Sequence, residues 1–192
     1  MPPTLFPSRP QAEFIPDERQ CMALWEKYEM LPNIGRHSQA VARVAVELAY
    51  RSQAAGYDLN PKVALAAGLL HDLAKPYTIS YGGAHEQLGA AWVLEETGNY
   101  LLAQCVLFHV SWPWDEGPLA PEADPLRLPL IISYADKRAR HDRVVSLDDR
   151  FKDLQIRYGH TAPIQQAIKK NHAQAVRLEE LLAARLGPLE NI

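Results

Sequence analysis

Residues 64–75 read ALAAGLLHDLAK, an apolar helical stretch in which a histidine and an aspartate, His71 and Asp72, stand side by side. An ionised carboxylate on an apolar helix costs free energy unless an opposite charge lies next to it. His71 falls on the same helical face as Ala64 and Ala67, so the spacing predicts that its side chain points inward. The stretch therefore indicates a buried helix whose polar end has a function.

The same anomaly recurs in other helical segments of the chain. Polar residues also fall on apolar stripes at His37, His85, His109 and Asp136. Taken singly, an inward histidine such as His85 is as well explained as a hydrogen-bonded core residue, and Asp136 could pair with Arg140 one turn later. Taken together they favour a metal site, because each separate buried ion pair would need its own partner.

The remaining sequence also follows helical periods. Helices are predicted at about 17–30, 33–55, 60–75, 84–96, 99–110, 126–142, 146–159 and 161–186. The segment PYTISYGG is predicted to be a loop, and SWPWDEGPLAPEADP is a long irregular connection of the kind that often carries function. No strand pattern or repeat is visible. The expectation is one all-α domain over residues 17–192, preceded by an extended proline-rich arm over residues 1–16.

Composition and charge limit the classes of function. The 192 residues include 20 Lys and Arg against 23 Asp and Glu, a formal net charge of −3 that argues against binding of long nucleic acid. Small anionic substrates stay possible because a metal site supplies positive charge locally. Cys21 and Cys105 lack metal-ligand spacing, and neither a signal peptide nor a membrane span is evident, so a reduced cytoplasmic protein is expected.

Five strings carry a resemblance to a known family. LPNIGRHSQAVARVAVELA, AAGLLHDLAK, AHEQLGAAWVL, VLFHV and YADKRARHD together resemble the HD-domain metal-dependent phosphohydrolase superfamily. The resemblance implies a helical bundle with a metal site at its centre. It implies that His37, His71, Asp72 and Asp136 hold one divalent ion. In two-metal members, histidines placed like His85 and His109 hold a second ion, and the aspartate of the HD pair bridges the two.

This donor set favours particular ions and activities. Mixed nitrogen and oxygen ligands suit iron, manganese, cobalt or nickel, and zinc stays possible. Two ions are expected, with hydrolysis of a phosphate ester or anhydride in a small substrate, a nucleotide above all, by activated water. The GYP signature of cyclic-di-GMP phosphodiesterases is absent, which argues against that activity.

Asp72 and Lys75 are the predicted catalytic residues. Lys75, Arg140 and Lys137 are predicted to contact phosphate, and Trp112, with Trp114 beside it, is predicted to stack on a nucleobase. Each has a structural alternative. Lys75 could stabilise the end of a helix, Arg140 could form an ion pair, and the tryptophans Trp112 and Trp114 could pack their loop. Tyr77 and Tyr81 carry the same ambiguity, and Arg36 is a weaker candidate.

Two other functions stay open at this stage. One is a phosphodiesterase that acts on a cyclic or dinucleoside compound, and the other is a non-catalytic module that senses a nucleotide. The last helix either covers the core or forms a homodimer contact, and the sequence does not choose between them.

Overall fold

The computed structural model describes residues 14–189 and residue 192. Its helices are α1 (Glu18–Lys27), α2 (Pro32–Ala54), α3 (Pro61–Leu70), α4 (Lys75–Tyr81), α5 (His85–Thr97), α6 (Tyr100–Phe108), α7 (Leu128–Lys137), α8 (Leu147–Tyr158) and α9 (Ala162–Leu186). A short 3-10 helix covers Gly117–Leu119, and β1 (Ala139–Arg140) pairs antiparallel with β2 (Arg143–Val144). The prediction of an all-α fold is confirmed.

The pair α2 and α3 forms the centre of the molecule. The two helices have the most extensive contact in the fold, and α3 is buried along most of its length. A Cβ atom on Gly68 would lie 2.5 Å from the Cα of Ala42, so the two backbones touch at a point where only glycine fits. This close approach fixes the end of α3, where His71 and Asp72 follow.

The other helices close around this pair. α5 packs on α6, α7 packs on both α2 and α6, and α9 lies across α2, α7 and α8. α9 buries Ala175, Leu178 and Leu182, so it covers the core; the possible homodimer stays a prediction. Glu179 of α9 also accepts hydrogen bonds from the Tyr134 hydroxyl at 2.6 Å and from the Arg138 guanidinium at 3.0 Å.

The region around Pro76 differs from the prediction. The helix expected to run to Lys75 ends at Leu70, and a turn follows in which the Lys75 amide bonds the Asp72 carbonyl at 3.0 Å. The predicted loop PYTISYGG instead forms α4, with Pro76 in its first turn. A proline there is tolerated because the first helical N–H groups have no intrahelical partner anyway. Pro76 thus lies in the first turn of a new helix and does not end α3.

The helix predicted to reach residue 142 is also shorter than expected. α7 ends at Lys137, and the following residues form the β1–β2 hairpin, whose turn holds His141 at a φ of 57°. A positive φ is uncommon for a residue other than glycine. The hairpin redirects the chain so that α8 can pack beside α7.

The predicted N-terminal arm falls mainly in residues 1–13, outside the described residues. Described residues 14–16 lead into α1, which begins with a capping box between Asp17 and Gln20. Across the part of the chain that the structure describes, no helix has both the length and the apolarity needed to cross a membrane.

Candidate metal centre

The turn between α3 and α4 holds the two central residues of the site. Both side chains are almost completely enclosed: His71 is 0% exposed and Asp72 is 1% exposed. Elsewhere the fold supplies a neighbouring histidine or carboxylate from α2, α5, α7 and the end of α6. The structure thus brings together all the residues predicted as ligands: His37, His71, Asp72, His85, His109 and Asp136.

Asp72 lies between two groups of imidazoles. Its Oδ1 is 3.2 Å from His85 Nε2 and 3.5 Å from His109 Nε2. Its Oδ2 is 3.5 Å from His71 Nε2. The residues fall into two sets that could each hold a metal ion, one with His37 and one with His85 and His109. Asp72 belongs to both sets.

Hydrogen bonds to backbone carbonyls fix two of these imidazole rings. His71 Nδ1 donates to the Gly68 carbonyl at 2.8 Å, and His109 Nδ1 donates to the Val106 carbonyl at 2.6 Å. Since Nδ1 carries the proton in each neutral ring, Nε2 is left with a lone pair directed at Asp72. Backbone contacts of this kind are typical of histidines that bind metals.

Two buried polar atoms at this point have no partner. His71 Nε2 and Asp72 Oδ1 make no hydrogen bond to any residue that the structure describes. Buried polar atoms are nearly always satisfied, so two unpartnered atoms on neighbouring residues at the centre of the cluster indicate that a further group completes them. A divalent cation accepts lone pairs from both imidazole and carboxylate, and the site therefore fits one.

Asp136 and His37 form the outer side of the centre. His37 Nε2 lies 2.9 Å from Asp136 Oδ1, which is 3.9 Å from His71 Nε2. Burial would raise the pKa of Asp136, but the hydrogen bond with His37 and the charge of Arg150 outweigh it, so the pKa lies well below its usual range. Asp136 is therefore ionised and can act as a ligand.

The charge on Asp72 has the same explanation. Burial would raise its pKa, but nearby positive charge, that of Lys75 above all, outweighs burial and holds the pKa well below the usual range. Lys75 Nζ donates to Asp72 Oδ2 at 2.7 Å. Burial lowers the pKa of His109, and the carboxylates Asp72 and Asp136, which raise it, do not compensate fully. A neutral imidazole is the form that binds a metal.

A cleft opens onto this centre between α2, α4, the β1–β2 hairpin and α8. Its volume is about 140 Å³. Ionisable residues contribute most of its wall: His37, Asp72, Lys75, His141, Arg150 and Arg157. The cleft thus leads to Asp72, and the cations of its wall, Lys75, Arg150 and Arg157, can attract a small anion.

Of the charged residues predicted to contact substrate, one lines the cleft and two do not. Lys75 lines the cleft. Lys137 instead points away from it, donating to the carbonyl of His109 at 2.9 Å and to the hydroxyl of Ser133 at 2.8 Å. Burial lowers the pKa of Lys137 to about 8. Arg140 does not line the cleft and makes no side-chain hydrogen bond or ion pair with the described residues.

The tryptophans lie in their own cluster. Trp112 is buried, and its Nε1 donates to the Leu119 carbonyl at 2.9 Å. Its ring packs edge-on against Phe108 and Trp114. The two tryptophans thus pack the long connection after α6, in agreement with the structural alternative for them. Tyr77 and Tyr81 line a separate pocket with Trp92, and Arg36 lines another beside Trp25.

Arg150 and Arg157 are the site residues that sequence reasoning missed. Both lie on α8, where charged residues occur on every side, so helical periodicity does not distinguish the inward arginines from the exposed ones. His141 also lies in the cleft wall. Its positive φ, a property of the folded backbone, turns it to the cleft wall.

The fold and the His/Asp cluster define a helical protein built around a centre that could bind metal. Comparison with known families agrees, since the model of the HD domain matches residues 34–141. The chain belongs to the HD domain family, which is part of a superfamily of metal-dependent phosphohydrolases.

Similar proteins from curated sets carry different names. An uncharacterized protein of Methanocaldococcus jannaschii is 29% identical over 143 residues, 68% of this chain and 80% of that protein. A ribonuclease Y of a Sulfurovum species is 26% identical over 142 residues, 74% of this chain but 26% of that protein. A tRNA (cytidine(56)-2'-O)-methyltransferase of Picrophilus torridus is 25% identical over 176 residues, 84% of this chain and 47% of that protein. The chain therefore spans only a part of the last two. No solved structure gives a significant match.

Proposed function

We propose that this chain is a phosphohydrolase with two divalent metal ions that cleaves a phosphate ester or anhydride in a small substrate, in the first place a nucleotide. One observation carries the proposal. The two oxygens of Asp72 face different histidines, with Oδ1 3.2 Å from His85 Nε2 and Oδ2 3.5 Å from His71 Nε2. A carboxylate between two groups of lone pairs is suited to bridge two cations.

Each set of residues has a defined part in this proposal. His37, His71 and Asp136 would hold one ion, His85 and His109 would hold the other, and Asp72 would serve both. When bound, such ions polarise phosphoryl oxygens and lower the pKa of water. Iron, manganese, cobalt or nickel suit the donors best, and zinc stays possible.

The protein contributes orientation and charge. The carbonyls of Gly68 and Val106 keep the rings of His71 and His109 in the ligand tautomer. Lys75, on the cleft side of Asp72, offers a cation to a phosphoryl oxygen. The small volume of the cleft, about 140 Å³, suits a phosphoryl group, so the rest of a nucleotide would lie at the cleft mouth.

A phosphodiester substrate is the second candidate. One relative is named ribonuclease Y, and it matches 74% of this chain. An activated water attacks a diester phosphorus by the same in-line displacement. A cyclic or dinucleoside compound belongs to this class and agrees with a small cleft better than long RNA does.

Metal content and turnover test the proposal together. Protein purified without air or chelator should contain two metal equivalents per chain by elemental analysis. Asp72→Ala should lose both ions and turnover, whereas His85→Ala should lose one ion. His172→Ala is the matched control because His172 lies on α9 and pairs with Asp148, away from the centre.

Turnover should be measured with nucleoside mono-, di- and triphosphates and with dinucleotides, by release of phosphate and by chromatography. Full turnover in folded Asp72→Ala protein would refute the mechanism. Nucleotide binding without any product from the metal-loaded protein would instead identify a sensing module.

A further inference from the structure

Helix α8 contributes two arginines to the cleft from outside the family match. The HD domain model ends at residue 141, and α8 begins at Leu147. Arg150 and Arg157 of this helix nevertheless line the same cleft as Asp72 and Lys75. The segment after the HD domain therefore completes the wall of the candidate active site.

Arg150 is a buried cation without hydrogen bonds. It is 9% exposed, and its Nε has no partner among the described residues. Its two Nη atoms reach Asp136 and Asp153 only at 3.7 Å each, beyond hydrogen-bond distance. A guanidinium has five N–H donors, and none of those of Arg150 is engaged in a hydrogen bond by the described residues.

Arg138 shows how this fold treats an arginine with a structural role. It is 6% exposed, and its guanidinium donates to the Val145 carbonyl at 2.8 Å, to the Tyr134 hydroxyl and to Glu179 at 3.0 Å. The two arginines are buried to a similar extent, yet only Arg138 is hydrogen-bonded by described residues, whereas Arg150 has only the longer ion pairs with Asp136 and Asp153. The guanidinium of Arg150 can therefore donate to an anion in the cleft without losing a hydrogen bond to the protein.

Arg157 lies two helical turns beyond Arg150, about 10 Å along the axis of α8. Asp153 stands between them, 3.7 Å from Arg150 Nη1 and 3.6 Å from Arg157 Nη1. The side chain of Arg157 is 45% exposed, so it marks the outer part of the cleft. The cleft thus has a cation near the metal ligands and another nearer its mouth.

We propose that Arg150 and Arg157 form an anion subsite for successive phosphates, with Arg150 at the reacting phosphoryl group and Arg157 at the next one. The substrate class is then a phosphoanhydride, such as a nucleoside di- or triphosphate. Arginine suits this part because its planar fork binds phosphate oxygens in a bidentate manner. The assignment of the phosphates rests on the proposed function, whereas the subsite itself can be tested by binding alone.

The binding experiment compares two probes that are not hydrolysed, methylphosphonate and methylenebisphosphonate. Both are titrated calorimetrically into metal-loaded protein. Arg157→Gln should weaken bisphosphonate binding about 10- to 100-fold, the value of a hydrogen bond between charged groups, and leave methylphosphonate binding unchanged. Arg150→Gln should weaken binding of both probes by a similar factor with unchanged metal content.

Arg177→Gln is the matched control, because Arg177 is also an arginine paired with carboxylates but lies on the exposed face of α9. It should bind both probes as the wild type does. Should Arg150→Gln fail to fold, Arg150→Lys keeps the charge but loses the fork, and it should still weaken both probes. Arg157 is half-exposed, so its variant tests the outer position independently.

Three results would overturn the subsite, two for Arg157→Gln and one for Arg150→Gln. Arg157→Gln protein could bind both probes as tightly as the wild type does. It could also bind both probes more weakly by the same factor, which would mean that Arg157 contributes only a long-range electrostatic attraction and no second phosphate position. Loss of metal from Arg150→Gln would show that Arg150 only orients Asp136. Absence of hydrolysis with intact Arg157-dependent binding would refute the proposed function and leave the subsite standing.

Discussion

Lys75 Nζ lies 2.7 Å from Asp72 Oδ2, and the side chain of Lys75 is 33% exposed whereas that of Asp72 is 1% exposed. The lysine is therefore the link between the buried carboxylate and the cleft. Asp72 raises the pKa of Lys75 against the lowering effect of burial, so the ammonium stays charged. An ammonium cannot bind a metal, but it can donate to a phosphoryl oxygen.

Replacement of Lys75 by methionine should lower kcat/KM about 10²-fold, the usual effect of removing one donor to a developing charge. Metal content should stay at the wild-type value because the ligands are unchanged. Lys62→Met, in the exposed first turn of α3, is the control. Unchanged kinetics in folded Lys75→Met protein would restrict Lys75 to a structural ion pair.

The contact between Gly68 and Ala42 predicts a loss of stability on adding one methyl group. In Gly68→Ala the new Cβ would lie 2.5 Å from Ala42 Cα, a backbone atom that cannot move alone. We expect destabilisation by about 1–3 kcal/mol in chemical denaturation, with reduced metal affinity because the Gly68 carbonyl also orients His71.

Gly89→Ala is the matched comparison for that variant. Its Cβ would meet the Val106 side chain at 3.0 Å and the Ala74 Cβ at 3.6 Å. Side-chain atoms can shift, so this substitution should cost less than Gly68→Ala. Equal losses in the two variants would contradict the special role of the α2–α3 contact.

Trp112 should affect stability and not substrate binding. Trp112→Phe removes the hydrogen bond to the Leu119 carbonyl and part of the buried ring, with an expected cost of about 1–2 kcal/mol. KM should not change, because Trp112 does not line the cleft. A raised KM at unchanged stability would instead place a substrate contact at this residue.

The hydrogen bonds from Lys27 and Tyr28, at the end of α1, to Glu96 of α5 predict a pH-dependent contribution to the stability of the fold. Hydrogen bonds from Lys27 and then from Tyr28 lower the pKa of Glu96 below its model-compound value of 4.5. A depressed carboxyl pKa stabilises the fold above pH 4.5, and this contribution is lost as the pH falls through the folded-state value.

Melting temperatures of the wild type and Glu96→Gln should therefore converge as the pH is lowered from 6 to about 3. The control is Glu95→Gln, a neighbouring carboxyl on α5 that makes no ion pair with the described residues of α1. A constant difference between wild type and Glu96→Gln across this range would exclude the ionised carboxylate as the cause.

Much of the fold followed from the sequence because its signals are local. Apolar residues at three- and four-residue spacing mark the inward face of a helix whether or not its neighbours are known. That pattern singled out inward polar residues on separate helices: His37, His71, His85, His109 and Asp136. The structure brings them together around Asp72.

Errors arose where the pattern allowed more than one structure. The pattern predicts that a helix ends before Pro76, but a proline suits the first turn of a new helix equally well, as in α4. A continuous helix was predicted through residue 142, where the chain instead turns at His141 with a positive φ. The backbone strain at His141 is a local property, whereas the packing of α8 that compensates for it depends on residues distant in the sequence.

By itself, the sequence determined that the chain is helical and which polar residues lie on apolar faces, since both depend on the periodicity of neighbouring residues. Only the tertiary structure decided that Asp72 faces two sets of histidines and that Lys137 points away from the cleft. It also decided that the guanidinium of Arg150 lines the cleft without a hydrogen bond to the described residues. These placements depend on how whole helices cross, and that is set by contacts such as Gly68 on Ala42 between distant parts of the chain.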